Sequence, residues 1–257
     1  ESDKPSIGLY LLRDTGLLDI ILPEFSIMGG VEIINKMGHK DVFVHTLQVI
    51  DNAAKLTNKM EIRFAALVHD IAKPQTKKFL AGKGWSYHGH EMVGMRLMRK
   101  LSKRMKLSND FTDYLCKLIK LHLRPISLAK DGVTDSAIRR LMVEAGDDID
   151  DLMILCRADV TTKNSAKVKK YMNNFKEVER MVKDVQLRDE LRSFQSPVRG
   201  DIIMQTFKLF PKNNIEDGIL IGKIKKKIED AILDGFIKNN YDDAYEYMLA
   251  IKIDDLK

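Results

Sequence analysis

Apolar residues return every three or four positions through most of this chain, as in Phe43, Leu47, Ile50 and Ala54 or Leu141, Ala145, Ile149 and Leu152. Alternating apolar and polar segments bounded by turn residues are scarce. A chain patterned this way buries one stripe of each helix against other helices, so the expected fold class is all-α. The periodic stretches predict helices over 41–57, 60–72, 89–106, 109–123, 134–145, 148–160, 164–191, 199–208, 216–235 and 241–253. With 257 residues, 44% of them hydrophobic and only 6 Pro and 15 Gly, the chain can build one large core or two smaller ones, which excludes a disordered or collagen-like polypeptide.

Two interruptions organise the pattern. From Lys73 to Gly89 the sequence carries Pro74, Gly82, Gly84 and Gly89 with Trp85 and Tyr87 among them, and predicts a loop or short hairpin. The break Ser196-Pro197-Val198-Arg199-Gly200 follows a long charged helix and marks a domain boundary. The expected organisation is a helical lead-in over 1–30, a helical bundle over 31–195 and a small helical tail over 196–257. No apolar run approaches the ~20 residues of a membrane span, the N-terminus is unlike a signal peptide, and Cys116 and Cys156 lie in apolar helical contexts that suit buried free thiols. These features predict a cytoplasmic protein with no membrane partner. The chain opens on Glu1 rather than Met, which points to a processed product or a piece of something longer.

Four of the six histidines stand where metal chemistry can use them: His45 within a helix, His69 beside Asp70 at a helix end, His90 after the glycine loop and His122 before Pro125, with Asp159 further on. Adjacent residues diverge by about 100° on a regular helix, so His69 and Asp70 can reach one ion only where the helix ends. The apolar lead-in Phe64-Ala65-Ala66-Leu67-Val68 buries that pair, which is costly without partners and easier to explain with a cation. Imidazole and carboxylate together hold divalent metals such as Mn, Fe, Co, Ni or Zn, while an all-oxygen set favours Mg or Ca, so the expected cofactor is one or two divalent ions, Mn, Ni, Fe, Co, Zn or Mg. A lone histidine such as His45 is by itself more often a satisfied core or surface residue; His39 and His88 lie in turn-like sequence and read as surface residues or as supports for a site.

The order His45, then His69-Asp70 in Leu-Val-His-Asp-Ile-Ala-Lys-Pro, then a distant Asp159 resembles the HD superfamily of metal-dependent phosphohydrolases. His90 and His122 match the extra histidines of members with two metals. Four stretches also resemble the C-terminal part of bacterial tRNA nucleotidyltransferases, the CCA-adding and poly(A) polymerase-like family: those beginning at His45, Tyr87, Leu121 and Arg157. The closing Gly218-Ile219-Leu220-Ile221-Gly222 and Ala231-Ile232-Leu233-Asp234-Gly235 are similar to that family's tail. The resemblance implies an HD-domain bundle over 31–195 and an RNA-binding-like tail. It also implies that His45, His69, Asp70 and Asp159 hold a first divalent metal, with Asp70 bridging to a second, weaker one at His90 and His122. One departure is large: that family transfers nucleotides with an N-terminal head carrying Gly-Ser and paired aspartates, and nothing before His45 offers them. These residues alone are therefore not expected to transfer nucleotides.

Lys73, three residues beyond Asp70, is placed to meet a phosphate or protonate a leaving group, making His69, Asp70 and Lys73 the expected catalytic set; an ordinary helix-end lysine is the alternative. Arg124 and Arg157 are phosphate-contact candidates through bidentate guanidinium geometry. The net charge of +6 suits a polyanion without requiring one. Basic clusters at Arg96–Lys106 with Arg99, Lys100 and Arg104, at Lys163–Lys170 with Lys167, and at Lys223–Lys227 read as an RNA surface or as solvated helix faces. Trp85 and Tyr87 can stack a base or anchor their loop. The leading expectation is a phosphohydrolase acting on phosphate esters of nucleotides or RNA ends and binding tRNA. The alternatives are a tRNA-binding body and tail serving a nucleotidyltransferase head, with a vestigial metal site, and a purely structural scaffold.

Overall fold

Proline and glycine set the first thirty residues. Helices α1 (Pro5–Asp14) and α3 (Pro23–Ser26) begin on a proline, whose fixed φ suits a first helical turn. Gly16 at φ +74° turns the chain between α1 and α2 (Leu17–Ile21). The computed structural model describes residues 2–128, 134–189, 196–209 and 215–253. A hairpin of two-residue strands, β1 (Ile33–Ile34) and β2 (Met37–Gly38), follows, a feature the helical pattern does not predict. Then come α4 (Val42–Leu56), α5 (Met60–Val68), α6 (Lys73–Thr76), the hairpin β3 (Lys78–Leu80) and β4 (Gly84–Ser86), α7 (His90–Met105), α8 (Asn109–Leu121) and α9 (Arg124–Leu128). The remaining helices are α10 (Asp135–Ala145), α11 (Ile149–Ala158), α12 (Ser165–Asp189), α13 (Gly200–Phe207), α14 (Ile215–Leu233) and α15 (Tyr241–Ala250).

Among the described residues the fold is all-α apart from these two hairpins, and every predicted helix is present with its ends moved by a few residues. The largest shift is instructive. The helix expected over 60–72 stops at Val68, because the amides of Ile71 and Lys73 bond three residues back, to Val68 at 3.1 Å and Asp70 at 2.9 Å, and Pro74 then opens α6 instead of merely closing α5. The far end of the helix expected to reach residue 191, and the residue before the 195/196 boundary, lie outside the described residues.

The chain forms two compact units, one of Glu1–Val133 with Glu144–Arg180 and one of Thr134–Val143 with Met181–Lys257. The first unit packs α4, α5, α7, α8 and α11 around Phe43, Leu47, Val49, Ala65, Leu115, Ile119 and Leu155, all buried. Asp41 caps α4 by accepting from the Val44 amide at 3.0 Å, and its other oxygen accepts from the Gly30 amide at 2.9 Å. Buried Arg63 donates to the carbonyls of Ala54 and Thr57 and so closes the end of α4. At Gly94 an added Cβ would stand 2.9 Å from Ile119 Cγ2, so glycine lets α7 lie close on α8. The second unit buries Val198, Ile203, Ile224, Ile228, Ala244 and Met248, and Arg140 holds Asp230 at 2.7 Å and Asp234 at 2.8 Å. No described helix is long and apolar enough to cross a membrane, and Cys116 and Cys156 are buried and free.

Candidate metal centre

Six side chains from five helices of the first unit meet at one point, and each stands within a turn of a helix end. His45 lies in the first turn of α4, His69 ends α5 with Asp70 next in the turn, His90 opens α7, His122 ends α8 and Asp159 ends α11. The early stop of α5 frees His69 and Asp70 from the divergence a continuing helix would impose. The His45 Nε2 stands 2.9 Å from Asp159 Oδ1 and 3.4 Å from Asp70 Oδ2. His69 Nε2 is 3.1 Å from Asp70 Oδ2 and 3.5 Å from Asp159 Oδ1. On the other side of Asp70, Oδ1 faces His90 Nε2 at 3.3 Å and His122 Nε2 at 3.8 Å. Two ligand sets result, His45, His69 and Asp159, and Asp70, His90 and His122, each with its ligand atoms within 4.8 Å of one another. Asp70 presents one oxygen to each set.

The far sides of the rings decide what these atoms can bind. His69, His90 and His122 donate from Nδ1 to the carbonyls of Ala66 (2.9 Å), Tyr87 (2.9 Å) and Ile119 (2.7 Å). A carbonyl only accepts, so Nδ1 carries the proton and a neutral ring turns a bare Nε2 lone pair inward. His90 Nε2 and His122 Nε2 then face each other at 3.3 Å, lone pair to lone pair. His69 Nε2 and Asp70 Oδ1 are buried with no hydrogen-bond partner of acceptable geometry, although both lie near opposite members of the cluster. Buried acceptors converging on acceptors are unfavourable unless a positive charge sits among them, so the residues fit a divalent cation. His45 differs from the rest: its Nδ1 meets the Thr161 hydroxyl at 2.9 Å, a group that donates as readily as it accepts. Asn52 donates to the Ala158 carbonyl at 3.0 Å and ties α4 to the end of α11, and the Cys156 thiol donates to the His122 carbonyl at 3.0 Å.

In the metal-free cluster one ring departs from the neutral form: the carboxylates keep a second proton on His69, which a bound cation would displace. Burial, the strongest influence on His69, opposes its charged form, yet the Asp70 and Asp159 carboxylates reverse this and push the ring up to about 10. Burial works to raise Asp70 and Asp159, but the surrounding imidazoles hold both carboxyls well below the usual range. Burial and the neighbouring His69 and His90 push His122 down to about 4.

Beside the cluster opens a cleft of about 660 Å³. His45 and Asp159 form its floor, with Lys40, Lys73 and Lys83 as its cations and Trp85, Tyr87 and Tyr171 as its aromatic walls. Lys73 Nζ donates to Asp70 Oδ2 at 2.5 Å and lies 5.7 Å over the Tyr87 ring. Trp85 donates to the Met37 carbonyl at 3.0 Å and so fastens one hairpin to the other, while its ring still lines the cleft. His39 is spent on the first hairpin, accepting from the Glu32 amide at 3.1 Å. Glu91 Oε2 lies 3.6 Å from His90 Nδ1.

Outside the cluster the basic residues divide. Arg104 pairs with Glu24 at 2.6 Å, Arg124 with Glu144 at 2.8 Å and Arg157 with Glu179 at 2.6 Å, so each guanidinium already holds a carboxylate. Arg99, Lys100, Lys163 and Lys167 are exposed, and Lys163 lines a smaller recess that also reaches His45. Thr161 and the Tyr87 hydroxyl, which is buried without a partner, escaped the sequence reading. Neither residue type signals such a role without its neighbours in space.

The family profile of the HD domain matches residues 42–164, a span that contains all six converging residues. Residues 42–164 are an HD domain. Curated relatives extend the match. The Multifunctional CCA protein of Psychromonas ingrahamii is 34% identical over 124 residues, covering 48% of this chain and 29% of the relative. That of Vibrio campbellii is 32% identical over 164 residues, covering 62% of this chain and 39% of the relative. The HD domain is therefore related to those of CCA-adding proteins, and the chain spans less than half the length of the relatives it matches.

Proposed function

We propose that this HD domain is a metal-dependent phosphohydrolase acting on phosphate esters of nucleotides or RNA ends. The observation that carries the reading is the inward convergence of four imidazole Nε2 atoms and two carboxylates, with His69 Nε2 and Asp70 Oδ1 buried without a hydrogen-bond partner of acceptable geometry. His45, His69 and Asp159 would hold one divalent ion, His90 and His122 a second, and Asp70 would offer an oxygen to each. The nitrogen-rich set favours Mn, Fe, Co, Ni or Zn over Mg. A bound ion of this kind polarises a phosphate oxygen and lowers the pKa of a coordinated water towards ~7.

The chain's own residues supply the rest. Lys73, three residues from Asp70 and facing the cleft, is placed to donate to a phosphate oxygen. Lys40 and Lys83 add positive charge at the rim, and Trp85, Tyr87 and Tyr171 offer faces on which a base can stack. His69 and Asp70, together with Lys73, form the catalytic set of this reading. The sequence resemblance to tRNA nucleotidyltransferases points to tRNA as the macromolecular partner. A second reading, a tRNA-binding module with a residual metal site, is favoured by one observation: Arg99, Lys100, Lys163 and Lys167 are exposed and form no ion pair among the described residues. We also propose that an RNA-binding tail lies beyond residue 195, within the unit of Thr134–Val143 with Met181–Lys257, and that the setting is cytoplasmic.

The two readings separate in one experiment. A 2′,3′-cyclic nucleotide is offered to the chain with added Mn or Ni, and tRNA binding is measured beside it. The proposal expects metal-dependent opening of the cyclic phosphate, abolished in Asp70→Ala with tRNA affinity unchanged. No turnover with any cation, with tRNA binding intact, would select the second reading.

A further inference from the structure

The C-terminal end of α7 and the first turn of α8 enclose a second recess, of about 710 Å³, whose lining residues include none of the metal cluster. Arg99, Lys103 and Lys106 line it, together with Ser102, Asn109 and Thr112. All three cations are exposed, and none forms an ion pair among the described residues. Burial pushes the Cys116 thiol up, against the opposing pull of the Arg99 guanidinium beside it. One acid, Asp113, lies on the wall. Three positive groups against one negative leave the recess electropositive.

Ser102 makes this more than a basic helix face. It is 2% exposed, it lines the recess, and its Oγ has no hydrogen-bond partner. A serine within a helix ordinarily satisfies its hydroxyl on the carbonyl one turn back. This one does not, and an unsatisfied buried hydroxyl is costly. The Ser102 carbonyl is itself occupied, since it accepts from the Leu107 amide at 2.9 Å where the chain turns through Lys106 at φ +54°. That turn sets Lys106 beside Lys103 on the rim. A partnerless hydroxyl and three cations that form no ion pair among the described residues, all lining one recess, are a complementary set for a tetrahedral oxyanion.

We infer that Ser102, Arg99, Lys103 and Lys106 form a phosphate-binding site separate from the metal cluster, which takes a phosphodiester of RNA or the phosphate of a small metabolite. The inference does not depend on the cluster being a hydrolase. The test uses the full chain in EDTA, so that added phosphate cannot report on bound metal, with chloride at equal ionic strength as control. Inorganic phosphate should raise the melting temperature and shift the backbone amide signals of Ser102, Lys103 and Lys106. Ser102→Ala should melt no lower than the parent without phosphate, because it removes an unpaired buried hydroxyl, yet lose the phosphate-induced rise.

A short single-stranded RNA forms the second arm. If the RNA backbone is the source, Lys103→Glu with Lys106→Glu should weaken its binding by about tenfold or more at low salt. The same double variant should also flatten the plot of log affinity against log salt by about 1.4, the loss of two phosphate contacts. A phosphate response with unaltered RNA binding assigns the site to a small phosphorylated ligand. Absence of phosphate-induced amide shifts, or an equal response in Ser102→Ala, overturns the inference.

Discussion

In the C-terminal unit the buried cluster of Val198, Ile203, Ile224, Ile228, Ala244 and Met248 is apolar throughout, whereas the N-terminal unit brings four imidazoles and two carboxylates together at its centre. Removal of hydrocarbon from water accounts for the first. It does not account for the second, since His69, Asp70 and His122 are each 1% exposed, and His69 Nε2 and Asp70 Oδ1 lack a hydrogen-bond partner of acceptable geometry. The contrast teaches that one interior is complete in itself and the other is a cavity for charge. A domain tolerates such a centre when a cation offsets the cost of desolvating its carboxylates.

Substitutions can break this contrast or sharpen it. Asp70→Ala removes the one residue that faces both ligand sets, and should weaken divalent binding by at least about 100-fold, measured by calorimetric titration. Ile228→Ala should lower the stability of the C-terminal unit by about 2–5 kcal/mol in denaturant unfolding while leaving metal affinity unchanged. An equal loss of metal affinity would show that the two interiors are not distinct in kind. Thr161→Val removes the hydroxyl that meets His45 Nδ1 and should reduce metal affinity by about 10- to 100-fold with little loss of fold stability. Gly94→Ala drives a methyl towards Ile119 and should cost about 1–3 kcal/mol of stability. The smallest effect is a proton count. In the metal-free chain, burial opposes the His69 imidazolium but Asp70 and Asp159 keep it protonated up to about 10. Its contribution to metal-free stability is therefore full below the ordinary histidine value and lost as pH rises through about 10. Loading with metal at pH 8 should release about one proton per chain, visible with an indicator in weak buffer.

The sequence made the helices legible because α4, α7, α8, α11 and α14 each carry an apolar stripe long enough to show its period. It was silent on β1 and β2, since two-residue strands have no period to read. The six converging residues were visible as types and order, and the resemblance to HD proteins named them. What hid was pairing between distant positions. Arg104, Arg124 and Arg157 resemble free phosphate contacts in a linear reading, and only the fold brings Glu24, Glu144 and Glu179 to them. Thr161 and Ser102 hid for the complementary reason, because a hydroxyl acquires meaning from what faces it.

The central claim is that the interior of the N-terminal unit is built around a divalent cation. Titrating the metal-free chain with Mn or Ni while following amide hydrogen exchange tests it most directly. The account predicts one or two equivalents bound, with slower exchange at the ends of α5, α7, α8 and α11 and none of that protection in α13, α14 or α15. A chain that binds no ion at millimolar concentration, with exchange at those helix ends unchanged, would contradict it.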